Sequence, residues 1–115
     1  MYQPDKQSYP EYYLPYVQLA LGTDLIKKLE TNLHKLSGFF EAIPEELHEF
    51  AYEPGKWTPK DIILHLIDTE RIFSYRALKI IRGEGEGLKS FDQDVFVLNA
   101  QANEVRLAEL IEMYV

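Results

Sequence analysis

Apolar residues recur along this chain in three stretches with a helical period. The strongest, residues 57–83, reads WTPKDIILHLIDTERIFSYRALKIIRG and predicts one long helix. Ile62, Leu66, Thr69, Phe73, Ala77 and Ile80 share one face, and Ile63, Ile67, Leu78 and Ile81 widen it on one side. So broad a stripe predicts contact with more than one neighbour. Thr58 is a good N-cap, because its hydroxyl accepts from the free amides of the first turn. Pro59 takes the first helical position, where a missing N–H costs nothing. Asp61 can reach back as in a capping box, and Trp57 and Ile62 stand at the spacing of a hydrophobic staple. Gly83 ends the run, with Lys79 and Arg82 suiting the negative end of the helix dipole.

The second stretch is residues 23–40, with Thr23 as its cap. Leu25, Ile26, Leu29, Leu33, Leu36, Phe40 and then Ile43 recur at steps of three and four. Gly38 weakens its last turn, and His34 points away from the stripe into solvent. Pro44 stops the pattern and opens a short turn over residues 44–48, with His48 on its surface. Glu53-Pro54-Gly55-Lys56 is a second turn, leading into the central helix. The third stretch runs from Asn103, NEVRLAELIEMYV, and buries Leu107, Leu110, Ile111 and Tyr114. Between the last two, GEGEGLKS is a glycine-spaced loop. Residues 91–98, FDQDVFVL, suit either a short helix capped by Asp92 or Asp94 or a strand. A helical turn is favoured, since no second strand exists to pair with it.

Residues 1–16 behave differently. Pro4, Pro10 and Pro15 argue against a long helix there. Tyr2, Tyr9, Tyr12, Tyr13 and Tyr16 predict an extended aromatic arm over apolar surface, each phenol reaching a polar partner. Covering the core is its simplest role; a lid over a pocket is the functional one. The pattern as a whole predicts an all-α fold, with residues 1–115 forming one domain. The third helix is still amphipathic at Val115, without a C-cap glycine. Its broad-faced partner helix therefore predicts a missing neighbour, either a C-terminal segment or a second copy of the chain in a homodimer.

Composition narrows the chemistry. Hydrophobic residues make up 46% of the 115, enough for a core. The absence of cysteine excludes disulfides, thiolate nucleophiles and Cys-ligated zinc, and points to a cytoplasmic setting. A net charge of −7 argues against nucleic acid and against an anionic membrane surface, and its ordinary consequence is solubility. No apolar run is long enough to span a membrane, and the N-terminus lacks the basic start and apolar core of a signal peptide.

The candidate chemistry lies on the flank of the central helix that carries His65, Ile72 and Arg76. A Trp and a Thr before the helix, a His seven residues after the cap and then Asp-Thr-Glu-Arg resemble the DinB-like family, also called YfiT-like metalloenzymes. The stretch GKWTPKDIILHLIDTERIFSYRALKIIRGE followed by FDQD carries the likeness. The resemblance implies an up-down-down-up four-helix bundle, of which about three helices are expected in this chain. It implies a divalent metal, nickel or zinc, held by three histidines. His65 matches the first; the other two belong to a fourth helix in a His-x-x-x-His pattern, and no histidine follows His65 here. It further implies a hydrolase, or a transferase joining a small thiol to an electrophile, through a metal-activated water or thiolate acting on a small-molecule substrate.

One imidazole does not hold a divalent ion tightly, so His65 reads as the remaining ligand of a site that needs the missing helix. Taken alone, a histidine at a core edge is more often a hydrogen-bonded structural residue. Asp68 is a candidate to orient His65 or join it as a ligand, against the plainer reading of a solvated residue. Glu70 falls beside Ile63 and Ile81, either snorkelling to solvent or buried against an arginine of another helix. Arg76 lies on the His65 flank, with solvent exposure as its plainer reading. Asp92 belongs either over the bundle end or at a helix cap. The alternative function is a non-catalytic helical bundle acting through self-association or partner binding.

Overall fold

Among residues 4–115, which the computed structural model describes, every regular element is helical. The all-α architecture expected from the periodicity is therefore observed. The chain divides into two compact units, Met1–Leu36 and Ser37–Val115. No helix of the described residues is long and apolar enough to cross a membrane.

In the first unit, a 3₁₀ turn at Glu11–Tyr13 leads into α1, Leu14–Ala20. The arm expected to stay extended through residue 16 is thus helical near its end. Pro15 explains the difference: in the first turn a proline forfeits no hydrogen bond, so it starts this helix instead of breaking one. Tyr12, Tyr13 and Tyr16 are exposed. They cluster on each other, with ring centroids 5.2 Å apart for Tyr12–Tyr13 and 6.2 Å for Tyr12–Tyr16. Tyr2 lies outside the described residues. Thr23, expected to cap the next helix, instead donates to the carbonyl of Ala20 at 2.7 Å and closes α1. Asp24 takes the capping role, accepting from the amide of Lys27 at 3.2 Å. The helix it starts, α2, runs Leu25–Glu41 and carries the chain into the second unit.

The second unit holds α3, Pro59–Ile81, α4, Gln93–Ala100, and α5, Leu107–Tyr114. Short 3₁₀ turns stand at Glu45–Leu47 and Ala102–Glu104. The core is Phe40, Ile63, Ile67, Leu107, Leu110 and Ile111, bordered by Ile43, Leu64, Leu66, Val105 and Tyr114. α4, α5 and the turn Ala102–Glu104 all pack on α3, the several neighbours its broad stripe predicts.

The centre of the buried side is displaced from the expected face. Ile63 and Ile67 are buried, while Ile62 and Phe73 are 41% and 56% exposed. α5 packs on the side of α3 that carries Ile63 and Ile67, so that side is buried and the Ile62–Phe73 side is not. At the helical rise, α5 spans about 12 Å and α3 about 34 Å, so α5 covers only part of α3. Leu78, Ile80 and Ile81 in the last turns of α3 remain exposed. Gly83 ends the helix as expected, with φ of 86° and its amide on Ile80 at 3.0 Å.

Residues 91–98 form most of a helix, not a strand. Asp92 caps it by accepting from the amides of Asp94 and Val95 at 3.0 and 3.1 Å. The third helix starts later than expected, at Leu107, because Asn103 is engaged elsewhere. Its predicted buried face of Leu107, Leu110, Ile111 and Tyr114 is correct.

Candidate functional site around His65

The start of α3 is fixed by a polar knot. Thr58 Oγ1 accepts the amide of Asp61 at 3.1 Å, and Asp61 Oδ2 accepts the amide of Thr58 at 2.9 Å, which completes the capping box. The Thr58 hydroxyl donates to Asn103 Oδ1 at 2.8 Å, and Asn103 Nδ2 donates to Asp61 Oδ1 at 3.3 Å. Lys60 is buried and donates to Glu49 Oε1 at 2.6 Å and to the carbonyl of Asn103 at 3.3 Å. A paired carboxylate is what makes a buried ammonium tolerable. Nothing in the helical periodicity marks Lys60, Glu49 or Asn103, because the partners lie far apart along the chain. An Asn outside the helix it helps to cap carries no local signal.

His65 follows almost two turns after this anchor. Its ring lies against Trp57, with centroids 4.9 Å apart and planes tilted by 52°. Ile62, at the staple spacing from Trp57, is 41% exposed, and the indole stands beside the imidazole as one wall. Nε2 stands 3.5 Å from Thr69 Oγ1. Nδ1 is buried and has no hydrogen-bond partner. With the imidazole proton on Nε2 toward Thr69, Nδ1 presents a lone pair that no donor meets.

The other candidates do not gather around His65. Asp68 pairs with Arg71 at 3.8 Å along the same helix. Glu70 is exposed, not buried against an arginine, and accepts from Ser74 Oγ at 3.3 Å. Arg76 donates to the carbonyl of Lys89 and lies over the Phe73 ring at 5.7 Å. Asp92 is spent on its cap. His34 is exposed, and His48 Nε2 lies 2.9 Å from the carbonyl of Ile43, more enclosed than a surface turn residue. Among the described residues no group of three or more His, Cys, Asp or Glu is placed to hold a metal ion. The donors of these residues alone therefore do not fit a closed divalent site.

Glu70 does act on one neighbour. The Tyr114 phenol has its pKa raised, first by burial and then by the Glu70 charge. A folded phenol that keeps its proton longer than the unfolded one contributes stability that is complete below about pH 10. That contribution is lost as pH rises through the folded-state value. Tyr114→Phe is expected to remove this alkaline loss and Glu70→Gln to reduce it, as read from urea midpoints at several alkaline pH values. An unchanged alkaline slope in Tyr114→Phe would place its origin elsewhere.

A family model described as the DinB superfamily matches residues 28–113. No curated protein and no solved structure is matched by the chain.

Proposed function

The chain belongs to the DinB superfamily, and from that premise we propose that it is a metal-dependent hydrolase or thiol S-transferase domain that is not competent alone. His65 supplies one donor. The remaining donors come from a second copy of the chain, since the described residues of one copy do not bring three together. The observation that carries this reading is the buried, unpartnered Nδ1 of His65. A polar atom left in this state is costly unless something outside the described residues meets it. The imidazole is held between the indole of Trp57 and the hydroxyl of Thr69, an arrangement that restricts its rotation before any ligand arrives. Nickel or zinc is the proposed metal and a small molecule the proposed substrate, in a cytoplasmic homodimer.

The test is metal content of untagged protein after incubation with nickel or zinc, wild type beside His65→Ala. Trp57 is the single tryptophan, so its emission gives a second readout at the site. Wild type is expected to retain metal and change its Trp57 emission on loading. His65→Ala is expected to do neither. Equal metal in both proteins would remove His65 from the site.

A second reading, a non-catalytic bundle working through self-association, has its own support. No three-donor group exists among the described residues, and Phe73, Leu78, Ile80 and Ile81 expose apolar surface along α3. It predicts no metal in either protein and a dimer in sedimentation that His65→Ala leaves intact.

A further inference from the structure

A separate hollow lies farther along the His65 flank of α3. Its volume is about 380 Å³, and it is an open hollow bordered by the C-terminal half of α3, the loop after Gly83 and the start of α4. Ile72, Phe91 and Phe96 provide apolar surface, and Arg76, Lys79 and Lys89 provide the polar part. The chain has nineteen acidic residues against twelve basic ones, yet no acidic residue lines this hollow.

The state of Arg76 is the telling detail. It is half-buried, one Nη is spent on the carbonyl of Lys89, and no carboxylate pairs with it among the described residues. The face of Phe73 is a weak substitute for a counter-ion. A guanidinium has five donors in a planar fork, which matches the two oxygens of a carboxylate. Lys79 does have a partner, Glu84 at 3.4 Å, but the Glu84 side chain is 76% exposed. Such a pair is weak and exchanges readily for an incoming anion. Phe91 and Phe96, with ring centroids 5.0 Å apart, offer a surface for an apolar body beside that charge.

We infer that this hollow is a binding site for a small amphipathic carboxylate, a medium-chain or aryl acid. The carboxylate sits on Arg76 with Lys79 and Lys89 nearby, and the apolar body lies against Ile72, Phe91 and Phe96. The site goes beyond the metal reading and does not depend on a metal at His65.

The test is isothermal titration calorimetry of the full chain with decanoate below its micelle concentration, beside decanol and decyltrimethylammonium. Decanoate is expected to bind at least about tenfold more tightly than either, the scale of one hydrogen-bonded charge. Arg76→Gln is expected to weaken decanoate by roughly tenfold and leave decanol unchanged. Arg76→Lys is expected to restore only part, since an ammonium supplies charge without the fork. If Arg76→Gln does not fold by circular dichroism, Lys89→Glu decides, because Lys89 is exposed; it is expected to weaken decanoate alone. Equal binding of decanoate and decanol, or decanoate unaffected by whichever folded variant is measured, would overturn the proposal and leave apolar adsorption only.

Discussion

Ile63→Ala is expected to lower the unfolding free energy by about 2–5 kcal/mol, the range for truncating a fully buried aliphatic side chain. Ile63 is 0% exposed and lies in one cluster with Phe40, Ile67, Leu107, Leu110 and Ile111. Its removal takes away both the burial of the lost carbons and the contacts of those that lined it. Ile81→Ala, eighteen residues on in the same helix, is the control. Ile81 is 78% exposed, so its loss is expected to stay within about 0.5 kcal/mol. Urea unfolding followed by far-ultraviolet circular dichroism measures both. In melting temperature each kcal/mol amounts to about 4–8 °C for a small domain, so the two variants separate clearly. Equal losses would mean that the core does not centre on Ile63.

These two isoleucines also mark what the sequence could and could not reveal. Both lie on the broadened face of the helical wheel, and periodicity treats them alike. What separates them is the reach of α5, an eight-residue helix against one of twenty-three. That is a fact about a neighbour, not about the helix itself. The start of α3 was legible because a capping box is local: Thr58, Pro59 and Asp61 act within one turn. Residues 91–98 were legible as a helix for a related reason, since a lone strand has no partner. Thr23 misled because its hydroxyl has carbonyls behind it as well as amides ahead. The carbonyl of Ala20 won, and Asp24 took the cap.

Of the candidate site, the sequence pointed to His65 by its place in the family motif and not to its surroundings. The spacing from the cap to His65, with Trp57 before it, carries the family resemblance, and the match over residues 28–113 bears out that resemblance. The spacing does not reveal the surroundings of the ring. Thr69 and Arg71 stand one turn on from His65 and Asp68 in the same helix, so the spacing offers these partners but not the rotamers that select them. The unpaired state of Arg76 depends on the path of the loop carrying Lys89.

Thr58→Ala is expected to destabilise the second unit by about 1–2 kcal/mol, and the reason is more than the cap. Loss of a threonine N-cap alone is worth about 0.5–2 kcal/mol. Here the same hydroxyl also bonds Asn103, forty-five positions away, so the substitution releases a tie between α3 and the turn Ala102–Glu104 as well. Asn103→Ala breaks that tie from the other side and frees Asp61 Oδ1, while the backbone carbonyl that Lys60 uses remains. The double variant should therefore fall short of the summed single losses by about 0.5 kcal/mol or more, as for residues sharing one network. Thr58→Ser keeps the hydroxyl and should stay close to wild type. Strict additivity in this cycle would mean that the long-range bond contributes nothing to folding. The knot also borders the candidate site, since Trp57 precedes Thr58 and forms one wall of His65. If the knot positions that wall, Thr58→Ala and Asn103→Ala each shift the emission of Trp57 in the folded protein. An unchanged spectrum beside a real loss of stability would assign the knot to folding alone and leave the imidazole positioned by α3 itself.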